Sequence, residues 1–503
     1  MNRKQILLNA ATTFAQVIGS AAALFLLYRF LIRTIGVERL GVWSLVLATT
    51  SVVTLANQGL STSIVKFVAK YVAREEPERV SVLVQTALIS IGAALAILSL
   101  GLYPAAKWAL QFILPGTHLS EAVAILPCAL ISLWINILAS VLQAGLAGHE
   151  LVTHRNYVVF GGSVLYLLLA FALVPRHGLL GLAYAQVINA GAGFAAGWLL
   201  LRRRIPGLPL IPRRFNRVLF QEMLHYGAHF QFITAGQSVR EPVTKALLAK
   251  FGGLAMTGFY DMAMRWVITF RELIVQANQV LVPTVANLQE RDPAALPRIY
   301  RDSYRLIFFL SVPASAVLVA LSPVVSHIWL GRYEPVFVHL VALLAAAWLV
   351  NILANPAYVM DLGTGRLRWV TAGCATTGIL NLVLGYFAGK YFGGMAVAIA
   401  AASSLAIGYT IVLFAYHAEN RISLRELWPP DSARIAATSA AGVALCFPLF
   451  RAFIGHAAVP AWSALALAAG LLGIVATPMW MHPMRKRLMQ WAFARIPAGA
   501  KNA

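Results

Sequence analysis

Fourteen apolar runs of 18 to 26 residues, joined by short polar connectors, constrain this 503-residue chain more than any motif in it. They fall at 7–30, 40–65, 80–102, 122–146, 157–174, 179–201, 226–248, 262–285, 306–328, 336–360, 369–389, 395–416, 435–453 and 462–481. At about 1.5 Å per helical residue, the runs extend about 27 to 39 Å, matching the ~30 Å of hydrocarbon in a bilayer. With 60% of residues hydrophobic and 12% charged, no soluble fold of this length could cover itself with polar surface. The runs are continuously apolar and contain Gly and Pro, which predicts helices rather than the alternating strands of a barrel. The expected fold is an all-α polytopic membrane protein of about 14 transmembrane helices.

The formal net charge of +22 would suit a nucleic-acid binder, but its distribution argues against one. If the first end is cytoplasmic, the N-terminus and alternate connectors hold 27 Lys/Arg. The opposite face holds nine, counting Arg29 and Arg451 at span ends. That bias is the positive-inside signal, so both termini are expected in the cytoplasm, with the basic charge facing anionic lipid. Arg3 and Lys4 precede a run that continues to Phe30, too long for a cleaved signal core, so a retained first helix is expected.

Two stretches of the chain echo each other. Gly36 to Trp43 reads glycine, four residues, glycine, one apolar residue and an aromatic ring, and Gly253 to Tyr260 repeats that pattern 217 positions later. Gly178, Gly181, Ala183 and Ala185 recur as Gly393, Ala396, Ala398 and Ala400, at an offset of 215. Two echoes at nearly one offset predict a duplicated bundle of about six helices, an architecture used for alternating access. The expected divisions are an N-lobe at 1–201, a basic cytoplasmic linker at 202–225, a C-lobe at 226–418, and two further helices with a basic tail at 419–503.

Several patterns resemble chemistry without supporting it. His149 and His154 are five residues apart, about 140° around a helix, whereas a zinc-protease pair needs i, i+4 on one face. The Gly385 to Lys390 stretch is one residue short of a phosphate loop and lacks its Ser/Thr. Cys128, Cys374 and Cys446 lie inside spans and read as small buried apolar residues. No catalytic residue, metal site or cofactor is expected.

The polar residues inside the spans carry more information, because ionisable groups at that depth are costly and face cavities. On the seventh span, Gln237, Arg240, Glu241, Thr244 and Lys245 share one helical face, with Pro242 expected to kink it. The eighth span follows with Asp261, Arg265, Glu272, Gln276 and Gln279 on one stripe and Arg271 slightly off it. The first span offers a neutral stripe of Gln5, Asn9, Thr12, Gln16 and Ser20, and the second carries Asn57 and Gln58. Glu241 with Lys245 and Asp261 with Arg265 are i, i+4 pairs that could be structural salt bridges. Even so, four cations face three acids, and the unmatched positive charge suggests an anionic ligand. Lys245 lies near a span end, from which its long side chain could reach the interface.

The opening third resembles the polysaccharide-exporter family of lipid-linked oligosaccharide flippases, in the superfamily that also contains multidrug and toxin extrusion antiporters and lipid II flippases. The resemblance rests on Gly36 to Trp43, on Gln58 to Tyr71, on Tyr226-Gly227, on Gly258-Phe-Tyr260 and on Gly363-Thr-Gly365-Arg366, and it covers roughly residues 1–420. It implies a bacterial inner-membrane flippase with two six-helix lobes around a cavity and two extra helices. Such a protein would carry an undecaprenyl-diphosphate-linked glycan between leaflets during O-antigen-type polysaccharide synthesis. Arg240, Lys245, Arg265, Arg271, Gln237, Asn9 and Gln16 would then contact substrate, and Glu241, Glu272 and Asp261 would couple transport to H+ or Na+. Thr244 and Lys245 stand where the family pattern is expected to place an acid. A lipid II flippase, or a drug or cation antiporter of the same fold, remains an alternative, although the antiporter would be expected to show an acidic cavity. A membrane-embedded glycan polymerase or ligase is another, but it would be expected to need a larger outside loop than 103–121. Partners are membrane lipid and the lipid-linked glycan, with no nucleic acid, and a monomer is expected because two lobes complete a cavity. The linker, rich in arginine and proline, is expected to act as a lipid-surface tether, with docking of a glycosyltransferase as the other reading.

Overall fold

The computed structural model describes residues 3–51, 63–279, 292–429 and 432–454, apart from positions 66, 69, 73, 115, 150, 206 and 210, together with isolated positions 285, 288–289, 470 and 473. Ten long helices occupy these residues: α1 (Arg3–Ser51), α2 (Pro77–Ile113), α3 (Gly116–Gly148), α4 (Val152–Arg202), α5 (Arg217–Gln279), α6 (Leu296–Leu330), α7 (Pro335–Thr364), α8 (Arg368–Phe392), α9 (Gly394–Glu419) and α10 (Ser432–Ile454). No strand occurs among the described residues. The reason is that a backbone in lipid must satisfy its N–H and C=O groups within its own segment.

Three helices are too long to be single spans. α1 has 49 residues, α4 has 51 and α5 has 63, or roughly 75 to 95 Å of helix. Each is broken at one glycine with non-helical dihedrals: Gly36, Gly178 and Gly253. Counting the halves separately, thirteen of the fourteen expected spans meet a helical segment, and the fourteenth, 462–481, lies almost wholly outside the described residues. By length and composition, eight of the helices could cross a membrane. α5 runs through Pro242, and its break in dihedrals comes instead at Gly253.

The glycine breaks make the internal repeat visible in the backbone. Gly36 has φ 83° and ψ 167°, and its repeat partner Gly253 has φ 82° and ψ 172°. This left-handed region is open to glycine and costs other residues strain. Gly178 and Gly393, the second echo, also share positive φ, at 57° and 79°.

The repeat also packs on itself. A Cβ built on Gly41 would collide with the carbonyl oxygen of Leu254, and one built on Gly258 would collide with that of Val37. Gly41 and Gly258 are repeat equivalents, as are Val37 and Leu254, so the contact is reciprocal under the pseudo-symmetry.

Two compact units can be distinguished, residues 1–261 with 378–400, and 262–377 with 401–503. The first has a core of apolar side chains from α2, α3 and the end of α4, joined by Ile205 and Leu208 of the linker and by Leu219 and Met223 of α5. The second centres on Tyr300, Tyr304, Phe308, Ala357, Met360 and Tyr416. Large apolar side chains elsewhere on the helices, such as Ile97, Leu100, Phe171 and Ile379, are exposed, as lipid-facing positions require.

The linker is fixed to the first unit. Gln85 of α2 accepts the backbone N–H groups of Arg213 and Arg214 at 3.0 and 3.1 Å. Thr86 Oγ1 accepts that of Asn216 at 3.0 Å, and Asn216 in turn caps α5 at Val218 and Leu219. The segment is therefore a pinned strap from which Arg202, Arg203, Arg204, Arg213, Arg214 and Arg217 project. Burial and the nearby Arg204 charge hold His149 below the usual histidine range.

Candidate functional site

The charged residues of the seventh and eighth spans fall into two groups, one in each compact unit. In the first unit, Lys245 is buried, with its Nζ 2.8 Å from Glu241 Oε1 and 2.7 Å from Asp261 Oδ1. The i, i+4 spacing brings Glu241 to the lysine along one helix face. The break at Gly253 lets the continuing chain bring Asp261 to it. The other Asp261 oxygen accepts the hydroxyl of Tyr28, from α1. Lys245 thus sits between two carboxylates and does not extend to the interface as its sequence position suggested.

Beside Lys245, Thr244 Oγ1 lies 2.9 Å from the carbonyl of Arg240, one turn back, and 3.1 Å from Asn381 Oδ1, either of which can accept its proton. Asn381 Nδ2 also donates to the Arg240 carbonyl, at 3.1 Å. These bonds fix the backbone beneath Arg240, whose side chain is buried with Tyr260.

In the second unit, Arg271 donates from Nε to Asn351 Oδ1 at 2.8 Å and from Nη1 to Glu272 Oε1 at 2.7 Å. Its guanidinium lies 4.9 Å from the centroid of the Trp348 ring, and Trp348 Nε1 is 3.3 Å from Met264 Sδ. Three contacts therefore orient one planar cation, a geometry suited to carboxylate or phosphate oxygens. Among the described residues, nothing accepts from Nη2 of Arg271. Arg265 is half-buried, with its carbonyl accepting Thr269 Oγ1 at 2.8 Å.

The first-span stripe packs against α4. Asn156 Nδ2 donates to Thr12 and Thr13, and Ser163 Oγ meets Ser20 Oγ at 2.9 Å. Gln16 Nε2 reaches Ser20 Oγ at 3.4 Å. The side chains of Asn9, Gln237, Gln276 and Gln279, and residues 57–58, lie outside what the structure describes.

Sequence reasoning missed Tyr28, Asn381, Asn351 and Trp348. Asn351 and Asn381 carried a signal, as amides inside apolar runs. Tyr28 and Trp348 carried none, since aromatic residues are common in such runs and become site residues through their neighbours.

The profile described as polysaccharide biosynthesis protein matches residues 30–334, more than half of the chain. The chain belongs to that family. Among curated proteins, none matches the sequence. Solved structures share the fold of this family member at low identity. The lipid II flippase MurJ, in an inward closed conformation, aligns with a TM-score of 0.70 at 10% identity, covering 96% of this chain and 100% of that one. An inward-facing multidrug resistance MATE family transporter of the MOP superfamily aligns with a TM-score of 0.68 at 16% identity, covering 80% and 94%. A MOP superfamily transporter from Pyrococcus furiosus, described as having a binding pocket of reverse polarity, gives 0.62 at 15% identity, covering 84% and 96%. The family member is therefore an all-helical, multi-pass membrane protein with the MOP transporter fold.

Proposed function

We propose that this protein is a flippase that moves an undecaprenyl-diphosphate-linked oligosaccharide across the bacterial inner membrane by alternating access. The observation that carries this reading is Arg271, an oriented guanidinium with an unused N–H edge among the described residues, in a membrane protein of a polysaccharide biosynthesis family. A diphosphate is recognised by N–H forks of this kind, while the lipid tail stays in the bilayer. Arg240, Lys245 and Arg265, with Gln237, Asn9 and Gln16, complete the proposed headgroup contacts.

In this reading, Glu272 competes with the diphosphate for Arg271, and Glu241 and Asp261 hold Lys245 until substrate or an ion displaces one of them. The three acids are the candidates for coupling to H+ or Na+. Lobes at 1–201 and 226–418 rock against each other, the strap at 202–225 rests on anionic lipid, both termini are cytoplasmic, and the protein acts as a monomer. The overlap with MurJ favours lipid II as the second substrate reading, and the overlap with the MATE transporter favours a drug or cation as the third.

The test is the lipid-linked glycan pool in wild type, in a gene deletion, and in the deletion complemented with wild type, Arg240→Ala or Arg271→Ala. Accumulation of undecaprenyl-diphosphate-linked glycan on the cytoplasmic leaflet is expected in the deletion, with rescue by wild type and not by either variant at equal expression. An unchanged pool with altered sensitivity to cationic drugs would favour the antiporter and overturn the proposal.

A further inference from the structure

Asp361 lies in the last turn of α7 and is 3% exposed. Its backbone carbonyl accepts the N–H groups of Gly365 and Arg366 as the helix ends. Its carboxylate has no hydrogen bond and no cation within 4 Å among the described residues. The acids singled out on the seventh and eighth spans differ, because Glu241 and Asp261 share Lys245 and Glu272 holds Arg271.

The surroundings are polar and tightly packed. From the end of α9, His417 is 1% exposed, and its Nε2 lies 2.6 Å from the hydroxyl of Tyr300 at the start of α6. The other ring nitrogen, Nδ1, is buried without a partner. Tyr416 packs against Tyr300 with ring centroids 4.7 Å apart and planes tilted by 43°. The groups acting electrostatically around Asp361 are Glu419 and Tyr416 of α9, Arg366 just beyond α7, and Tyr300 of α6. Glu419 is engaged by Trp369 Nε1 at 2.6 Å, and Glu426, on the turn after α9, is engaged by Arg301 at 2.7 Å.

Two features besides burial disfavour a negative charge here. The last turn of a helix is the negative end of its dipole, and Glu419 adds a second acid. A single proton removes that charge and its desolvation cost. A metal cation is a poorer fit, since no group of three His, Cys, Asp or Glu could hold one among the described residues.

We propose that Asp361 is a proton-binding site, loaded in the conformation of this structure. That the proton drives transport rests on the flippase reading; that it binds does not. The test uses the full-length protein in nanodiscs without any glycan, so a failed flippase reading leaves its outcome unchanged.

Infrared difference spectra across a pH titration should show a protonated-carboxyl band that is lost in Asp361→Asn and kept, shifted, in Asp361→Glu. In parallel, dicyclohexylcarbodiimide, which reacts with protonated buried carboxyls, should label Asp361 in the wild type, as mapped by peptide mass, and labelling should fade as pH rises. This second measurement needs no variant and stands even if Asp361→Asn fails to fold. An unchanged band in Asp361→Asn, no label at Asp361 at any pH, or labelling blocked by sodium at constant pH would overturn the proposal, the last by making the site one for a cation.

Discussion

Lys245 neutralises two acids at once, and the energetics of that arrangement are asymmetric. Removing one partner of a buried pair leaves an uncompensated charge, which costs roughly 3–5 kcal/mol. Half of that range is the better expectation here, because Glu241 is 46% exposed and water can screen it. Lys245→Met is therefore expected to lower the thermal midpoint of the purified protein, and Asp261→Asn in the same chain to restore most of the loss. If Lys245→Met melts like wild type, the lysine does not hold the two carboxylates together. This is a stability effect, separate from the loss of substrate contact expected of Arg271→Ala. The pairing was half legible in the sequence. The i, i+4 spacing indicated Glu241, whereas Asp261 reaches the lysine from 16 residues away, Tyr28 reaches Asp261 from 233, and both needed the folded chain.

At the scale of helices, the repeat is expressed as backbone geometry. Gly36 and Gly253 are needed for their dihedrals, Gly41 and Gly258 for the closeness of two helix backbones. These requirements predict different responses to mutation. Gly253→Ala should cost roughly 1–3 kcal/mol of local strain and leave the packing intact. Gly41→Ala should force the Val37–Gly41 and Leu254–Gly258 segments apart, and Gly258→Ala should do the same by symmetry. Cysteine pairs placed across that contact would crosslink efficiently in Gly253→Ala and poorly in Gly41→Ala and Gly258→Ala. Equal crosslinking in all three would show that the contact tolerates a methyl group. Spacing alone made the repeat legible, but a glycine that serves a dihedral looks the same in sequence as one that serves a close approach.

For the whole molecule, the charge bias and the even number of expected spans make one prediction about topology. Reporters fused to the N-terminus and to the C-terminus should both be active in the cytoplasm, and a reporter placed in the 103–121 connector should be active on the other side. Opposite sides for the two ends would break the fourteen-span count. The same scale explains why the linker reads differently in sequence and in structure. Six arginines and three prolines suggested a lipid-surface tether, and the structure adds that the N–H groups of Arg213, Arg214 and Asn216 bond to Gln85 and Thr86, polar side chains buried on α2. A polar residue in an apolar run signals that something docks there, without saying what.

The sequence alone determined the solvent and the class. Apolar runs of membrane length leave helices as the economical way to satisfy the backbone, and the positions of Lys and Arg set the expected orientation. It also located the charged helices, because a charge in a span is too costly to be incidental. Tertiary structure decided which groups meet: Lys245 with Asp261, Asp261 with Tyr28, Arg271 with Asn351 and Trp348, and the Asp361 carboxylate with none among the described residues. The physical reason is that local periodicity fixes which face of a helix a residue occupies, whereas its partners arrive from helices far away in the chain, and only packing brings those faces together.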